Sequence, residues 1–178
     1  MDITTVRIRP ITESDAEGFR QAVGKVGRER IYIRLTDAPS ADGALAFVRS
    51  NIENGNPQFV AEHEGDIVGW CDIVRSSFEA ERHCGTLGMG IIPGWREHGI
   101  GRRLIQATLK AADAAEFSRI ELTVNAHNGR AIRLYRSVGF VEEGRKQKAR
   151  FLEGEFRDVL VMGCLLAPRS SSDGLEGS

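Results

Sequence analysis

The hydrophobic and polar positions of the chain follow two periods, and together they predict a succession of strands and helices. A period of two marks "TVRIRPI" near the start and the stretch from Arg119 to Val124, which is typical of strands. A period near 3.6 marks the stretch from Gly101 to about Glu116, which is typical of a helix. In chain order we predict a strand at 5–11, one or two short helices within 16–35, a helix at 40–54, a hairpin at 58–74 and a strand at 81–92. These are followed by a helix at 101–116, a strand at 119–124, a helix at 128–138, a strand from 140 and a strand at 157–166.

This order predicts an α/β fold in one domain, with a central mixed sheet that is mostly antiparallel and flanked by helices. The strand–helix–strand unit between residues 86 and 124 requires a right-handed crossover, so the middle strand pair should be parallel. We expect the domain to span residues 4–166. The segment 167–178 is rich in Ser and Gly and has little to bury, so we expect it to be a disordered tail.

Composition excludes several classes of function. The chain has 178 residues and a formal net charge of -1, so it has no overall basic field for nucleic acid. It has no run of about 18 apolar residues, so we expect no membrane span, and the charged start lacks a signal-peptide core. Three widely spaced cysteines without a C-x-x-C pair suggest reduced thiols in a cytoplasmic protein, and we predict no metal site.

A glycine-containing turn, "WREHGIGRRL" at 95–104, lies between a predicted strand and a predicted helix. Glycines let backbone N–H groups point inward, and a helix N-terminus adds unpaired N–H groups, so this turn could cradle a pyrophosphate. The alternative is a tight strand-to-helix connection with solvated arginines. A Walker loop is absent from the sequence, and Leu104 stands where a dinucleotide-binding fingerprint needs its third glycine.

Two motifs together carry a resemblance to a known family. The pattern Arg-x-x-Gly-x-Gly over 96–101 resembles the acetyl-CoA loop of the GNAT N-acetyltransferases, and "NAHNGRAIRLYRSVGF" over 125–140 resembles their later signature. The motifs stand in the family's order, and the resemblance covers roughly 4–166. Within the family the chain looks most like bacterial small-molecule or amino-acid N-acetyltransferases.

The resemblance implies acetyl-CoA as cofactor, with its pantetheine arm along the strand that ends at Ile91–Ile92 and its pyrophosphate on the loop amides. A preorganised backbone donor facing a reacting oxygen is worth roughly 3–4 kcal/mol in comparable sites. Asn128 would contact the cofactor, and it would also serve as a helix N-cap. The cofactor-binding residues implied are Ile91, Ile92, Arg96, Glu97, His98, Gly99, Ile100, Gly101, Arg102, Asn128 and Tyr135.

The resemblance makes Tyr135 the general acid that protonates the coenzyme A thiolate, and the alternative is a core aromatic residue. The base is open, because the predicted cofactor strand "HCGTLGMG" carries no carboxylate. His83 is the nearest titratable group and is our predicted catalytic base, with Glu81 and Asp72 as alternatives. We expect direct attack in a ternary complex rather than an acyl-enzyme on Cys84.

The function predicted is transfer of an acetyl group from acetyl-CoA to the primary amine of a small molecule, an amino acid or similar. The alternatives are acetylation of a protein N-terminus or lysine, and a non-catalytic acyl-CoA-binding module. We expect the substrate pocket to be lined by residues 19–38 and 151–157. A homodimer is possible on this evidence.

Overall fold

The computed structural model describes residues 5–166, which form a seven-stranded sheet with helices packed on both faces. The predicted tail 167–178 and the predicted first residue of the domain lie outside the described residues. The elements are β1 (Arg7–Pro10), α1 (Ala16–Gly27), α2 (Ala41–Glu53), β2 (Gln58–His63), β3 (Asp66–Arg75), β4 (Cys84–Ile91), α3 (Ile100–Ala114), β5 (Arg119–Asn125), α4 (Gly129–Arg136), β6 (Val141–Leu152) and β7 (Glu155–Leu165).

The strand order across the sheet is β1-β2-β3-β4-β5-β7-β6. β4 and β5 are parallel, because α3 connects them as a crossover, and every other neighbouring pair is antiparallel. This confirms the predicted mixed, mostly antiparallel sheet with one parallel pair in the middle. Among the described residues no helix is long and apolar enough to cross a membrane.

Local sequence explains most element boundaries. The β2–β3 hairpin turns at Glu64 and Gly65, both at positive φ, which is the geometry that a two-residue loop between twisted strands requires. α2 begins after Ser40, whose side chain accepts a hydrogen bond from the Gly43 amide at 3.1 Å. α4 ends at Arg136, and the chain then turns away at Gly139, whose φ of 103° lies in the left-handed region and whose amide donates to the Arg136 carbonyl.

The buried faces of α2 and α4 include residues that the apolar spacing does not select. That spacing predicts that Leu45, Val48 and Ile52 face the core on α2; Val48 is buried, but Ile52 is 47% exposed and the buried face carries Asn51 instead. The Asn51 side chain is satisfied there because its amide donates to Gln58 at 2.8 Å. On α4 the buried residues are Ile132 and Tyr135. The stretch expected to hold one or two short helices holds α1 alone, followed by turns.

Candidate active site

The parallel pair β4–β5 opens part of the way along, and the opening is the centre of the site. The two strands pair only over Cys84–Thr86 and Arg119–Glu121. Beyond that point β4 continues to Ile91 and stays paired with β3, whereas β5 turns away from it. One backbone edge of the second half of β4 is therefore left without a strand partner among the described residues, and a ligand can pair with it.

The direction of the backbone groups along β4 follows from one hydrogen bond. The Ile92 amide donates to the Val68 carbonyl at 3.0 Å, so it points towards β3. Because peptide groups alternate between the two edges of a strand, those of Met89 and Ile91 point into the opening. The Ile91 carbonyl indeed accepts from Arg96 Nε at 2.8 Å, on the side away from β3.

The loop from β4 to α3 has the geometry of an anion cradle. Gly94, Glu97 and Gly99 have φ values of 86°, 67° and 76°, so the chain turns three times through the left-handed region. Gly99 is the N-cap of α3, whose first turn carries no acidic residue. Open N–H groups and a positive helix end without a competing carboxylate suit a phosphate group.

The predicted cofactor residues of this loop divide into two groups. Ile92 and Ile100 are buried in the core, and because the Ile92 amide already donates to the Val68 carbonyl, only the Ile100 amide of the two is open to a ligand. His98 and Arg102 are exposed beside α3, and Arg102 makes a long hydrogen bond of 3.4 Å to the Ser137 carbonyl. Gly101 packs close to α4, because a Cβ there would lie 3.0 Å from Leu134.

Arg96 has a different environment from the one its motif position suggests. Its guanidinium is ion-paired with Glu29 and lies over the ring of Tyr32, 4.5 Å from the centroid. The charge of Arg96 is therefore already neutralised, and the side chain ties the α1–α2 segment to the β4–α3 loop. Arg130 on α4 lies over the same ring at 5.4 Å.

α4 supplies the two predicted residues on the other side of the opening. The Asn128 side chain caps α4, with its oxygen accepting from the Ala131 amide at 3.2 Å, and its amide group stays available at the cavity. Tyr135 is 8% exposed and packs edge-on against Phe140. Burial, with a smaller contribution from Cys71, raises the pKa of its hydroxyl, so Tyr135 stays protonated at neutral pH.

A cavity of about 570 Å³ follows the opening and brings most of these residues together. Its walls come from α1, the α1–α2 segment, β3, β4, the β4–α3 loop, β5 and α4, with Tyr32, Gly99, Asn128 and Tyr135 among the lining residues. This volume lies within the range of small-molecule sites in proteins.

Asp72, one of the three alternatives for the base, lies in the wall of this cavity. Its side chain is 6% exposed and makes no hydrogen bond or ion pair among residues 5–166. The carboxylate covers Gly88, its partner across the β3–β4 ladder, because a Cβ on Gly88 would lie 3.1 Å from Asp72 Oδ2. Burial raises the pKa of Asp72 from 3.8 to about 7.

Asp72 and Tyr135 approach the opening from opposite faces of the sheet. Trp70, two residues before Asp72 and on the same face, packs against Phe19 of α1 with ring centroids 5.8 Å apart. Cys71 points the other way, towards α3 and α4, where it influences the pKa of Tyr135. A carboxylate on one side and a phenol on the other therefore flank the same gap.

The other two candidates for the base lie outside the cavity. His83 is exposed just before β4, where its carbonyl accepts from the Ser118 and Arg119 amides, and it is five residues from Gly88 along an extended chain. Glu81 is exposed and accepts from the Ser76 hydroxyl at 2.9 Å. The geometry brings neither of them to the Tyr135 side chain. Burial and the charge of Glu121 raise the pKa of Cys84, which does not favour a nucleophilic thiolate.

Only some residues of the two predicted substrate walls, 19–38 and 151–157, line the cavity. Tyr32 lines the cavity, whereas Phe19 is a core residue stacked on Phe47. Phe151 and Phe156 pack on each other at the tip of the β6–β7 hairpin and are exposed. Arg34 lies within the predicted wall 19–38 and lines the cavity, but sequence reasoning gave it no role, and it missed Arg150 as a cavity residue. The available signal was a basic residue in an irregular segment and another inside an exposed strand, which is too common to be selective.

Comparison with known proteins identifies the family. Residues 28–140 match the model of the Acetyltransferase (GNAT) family. The chain is 27% identical over 161 residues to the L-amino acid N-acetyltransferase AaaT of Escherichia coli K12, a match that covers 90% of this chain and 98% of that protein. It is 35% identical over 151 residues to the N-alpha-acetyltransferase RimI of Mycobacterium tuberculosis, covering 83% and 85% of the two chains.

Solved structures agree with this result. A GNAT-family acetyltransferase from Streptococcus pneumoniae superimposes with a TM-score of 0.85 at 27% identity, over 90% of this chain and 99% of that one. The yncA acetyltransferase of Salmonella typhimurium, solved with acetyl-CoA, has the same fold, with a TM-score of 0.87 at 20% identity over 96% and 99% of the two chains. The chain therefore belongs to the acetyltransferase (GNAT) family.

Proposed function

We propose that this acetyltransferase transfers the acetyl group of acetyl-CoA to the primary amine of a small molecule, an amino acid or a similar compound, by direct attack in a ternary complex. As a member of the family it is an acyltransferase, and acetyl-CoA is its co-substrate. The observation that carries the proposal is the open half of β4, flanked by the buried carboxylate of Asp72 and the buried hydroxyl of Tyr135.

The residues around the opening fit acetyl-CoA. The free backbone edge at Met89 and Ile91 suits the amide groups of a pantetheine arm, and the loop from Glu97 to Arg102 suits the pyrophosphate. Asn128 offers its amide group on the far side. When bound, acetyl-CoA supplies an activated thioester, and the Ile91 amide, which points into the opening, would stabilise negative charge on its oxygen.

Asp72 is the group we propose as proton acceptor, in place of His83. A primary ammonium with a pKa near ~10 must lose a proton before it can attack. A carboxylate with a pKa of about 7 accepts that proton far more readily than one with an ordinary pKa of 3.8, because the difference between donor and acceptor is smaller. A buried carboxylate also attracts the ammonium into the cavity.

Tyr135 is the group we propose as proton donor. Its hydroxyl makes no hydrogen bond among the described residues and reaches the opening from the α4 face, opposite to Asp72. The leaving sulfur needs a proton as its bond to the acetyl carbon breaks, and Tyr135 Oη holds one throughout the usual pH range. Two separate proton transfers are therefore proposed on opposite faces of the sheet: Asp72 accepts a proton from the ammonium, and Tyr135 donates one to the leaving sulfur.

A small substrate is favoured over a protein chain because the α1–α2 segment is tied to the β6–β7 hairpin beside the site, which narrows the room for a long peptide. Arg30 in the α1–α2 segment forms an ion pair of 2.9 Å with Glu153 on the β6–β7 hairpin. Arg157 also bridges the two, donating to the Arg30 carbonyl at 2.6 Å. These contacts join the α1–α2 segment to the β6–β7 hairpin beside the cavity. AaaT, which acts on L-amino acids according to its name, aligns along 90% of this chain.

The proposal is tested by measuring thiol release from acetyl-CoA with a panel of amino acids, polyamines, aminoglycosides and peptides. We expect saturable release with at least one small amine, together with an N-acetylated product in the mass spectrum. Release with peptides alone would favour the protein acetyltransferase. Tight binding of acetyl-CoA without turnover of any amine would favour a non-catalytic acyl-CoA-binding module.

A further inference from the structure

A second cavity opens beside the first, and its walls carry positive charge. It has a volume of about 430 Å³ and lies between the α1–α2 segment, β5 and the β6–β7 hairpin. Its charged lining residues are all cationic among the described residues: Arg30, Arg34, Lys146, Arg150 and Arg157. Arg34 and Arg150 line both cavities, so they stand where the two join.

From this arrangement we infer that Arg34 and Arg150 bind a carboxylate or a similar oxyanion of the amine substrate, so that the enzyme acetylates acidic amines in preference to neutral or cationic ones. The inference rests on the proposed acetyl transfer and adds the second group of the substrate that the protein recognises.

Arg150 is held in place by a buried polar residue. Its guanidinium donates to Asn125 Oδ1 at 2.9 Å, and the Asn125 amide in turn donates to the Ile31 carbonyl in the α1–α2 segment. Asn125 is 2% exposed and stands at the end of β5. A long side chain fixed by a second residue, and partly withdrawn from solvent, is what a preorganised binding site requires.

The cations around Arg150 lack enough carboxylates to balance them. Arg157 is directly opposite Arg150 in the β6–β7 ladder, and like charges in that position repel each other. Arg34 lies close enough to help lower the pKa of Arg150, although burial is the larger cause. The nearby acid Glu153 is ion-paired with Arg30 and Arg157, so Arg34 and Arg150 have no carboxylate partner among residues 5–166.

A partly buried guanidinium without a carboxylate partner, such as that of Arg150, is unfavourable unless a ligand supplies the anion. An arginine fork matches the two oxygens of a carboxylate, which makes a strong, directional pair. The first cavity holds one buried carboxylate, Asp72, in a lining that also includes five arginines, so its negative charge is local to Asp72. The two cavities therefore fit a molecule with an ammonium at one end and an oxyanion at the other, and they disfavour polyamines, which would place a second cation beside the arginines.

The test compares matched amines with and without the acidic group: L-alanine with L-alaninamide, and L-phenylalanine with L-phenylalaninamide, with spermidine as a cationic comparator. Values of kcat/KM are measured for the wild type, Arg34→Gln, the double variant Arg34→Gln/Arg150→Gln, and Arg7→Gln as a control. Arg7 is exposed on β1 and lines neither cavity. Arg34 is also exposed, so Arg34→Gln should fold even if the double variant does not.

In the wild type we expect kcat/KM for the acidic member of each acetylated pair to exceed that for its partner by about 10- to 100-fold, the range of charged hydrogen bonds. The double variant should bring this ratio close to one, mainly through KM, and Arg34→Gln should reduce it in part. Arg7→Gln should leave it unchanged. A wild-type ratio near one, or a ratio that survives the double variant, would overturn the inference while leaving acetyl transfer intact.

Calorimetric titration of the same amines into the protein with coenzyme A separates this inference from the proposed function. Tighter binding of the acidic members, lost in the arginine variants, supports the subsite even if no amine is acetylated, in which case the proposed reaction fails alone. Equal binding of acidic and neutral members contradicts the subsite whatever the turnover.

Discussion

The two cavities lie side by side, yet they differ in the acids that line them and in their origin. The first follows the opening between β4 and β5, has mostly apolar walls, and contains one buried carboxylate, Asp72. The second is lined by five cations and lies against the β6–β7 hairpin. The first is built on paired strands and helix ends, whereas the second depends on side chains from an irregular segment and an edge strand. The reaction and the choice of substrate are therefore assigned to different parts of the fold.

If the first cavity performs the reaction, the largest effect should come from removing its carboxylate. Asp72→Asn keeps the size of the side chain and removes the proton acceptor, so turnover at saturating substrates should fall by about 10²- to 10⁴-fold. Asp66→Asn, at the exposed start of the same strand, is the matched control and should change turnover little. Full activity in Asp72→Asn would assign the reaction to another base.

Tyr135→Phe tests the opposite side of the opening. The ring and its contact with Phe140 are kept, and only the hydroxyl is lost. Turnover should fall by about 10²-fold, because the leaving thiolate loses its proton donor, whereas the dissociation constant of acetyl-CoA should change less than about threefold. Rapid-quench kinetics should be used so that chemistry is measured. Unchanged chemistry would reduce Tyr135 to a packing residue.

Gly99→Val tests the cradle and has an internal control. Gly99 and Gly55 both have left-handed backbone, with φ values of 76° and 65°, and neither has neighbouring atoms within 4 Å of an added Cβ. Valine should therefore strain both positions by about 1–3 kcal/mol. Only Gly99→Val should also weaken acetyl-CoA binding, by about 10-fold or more, because Gly99 lines the cavity. Equal effects on binding would contradict the cradle. Gly99→Val combined with Gly101→Val should weaken binding further.

Stability provides a smaller but independent test of the buried carboxylate. Asp72 has a pKa of 3.8 when exposed and about 7 in the folded protein, so folding favours its protonated form. Below about pH 4 the side chain is protonated in both states and does not reduce the free energy of unfolding. As the pH rises from about 4 to about 7, the free energy of unfolding falls by up to about 4 kcal/mol, because only the unfolded state releases the proton. Asp72→Asn should lack this loss, so the variant should gain stability relative to wild type between pH 4 and 8. Denaturant titrations at several pH values measure the difference.

The parts that sequence predicts best are those set by neighbouring residues. Period-two and period-3.6 patterns are local, so the strands, helices and parallel crossover could be predicted. The loop around Gly99 could be interpreted for the same reason, since glycine, helix start and strand end follow one another within ten residues. Asn51 shows the limit of the method. Its burial on α2 depends on Gln58, which accepts a hydrogen bond from its side-chain amide. A prediction from polarity alone would put Asn51 on the exposed face.

The substrate side depends on contacts that sequence does not reveal. The strand β4 has no carboxylate, so its register with β3 decides that Asp72 covers Gly88. Residues 76–83 connect these two strands, and the length of this loop alone does not give the register. The twist and burial that set the pKa of Asp72 could not be predicted either. Arg34 and Arg150 are brought together only when the α1–α2 segment folds onto the β6–β7 hairpin.

The most direct test of the account is the pH dependence of acetyl transfer at saturating acetyl-CoA for the wild type, Asp72→Asn and His83→Ala. The carboxylate must be ionised to accept a proton, so the wild-type rate should rise up to about pH 7 and then level off. His83→Ala should keep that profile, and Asp72→Asn should lose the break near pH 7. The account would be contradicted if Asp72→Asn kept the break and His83→Ala abolished it.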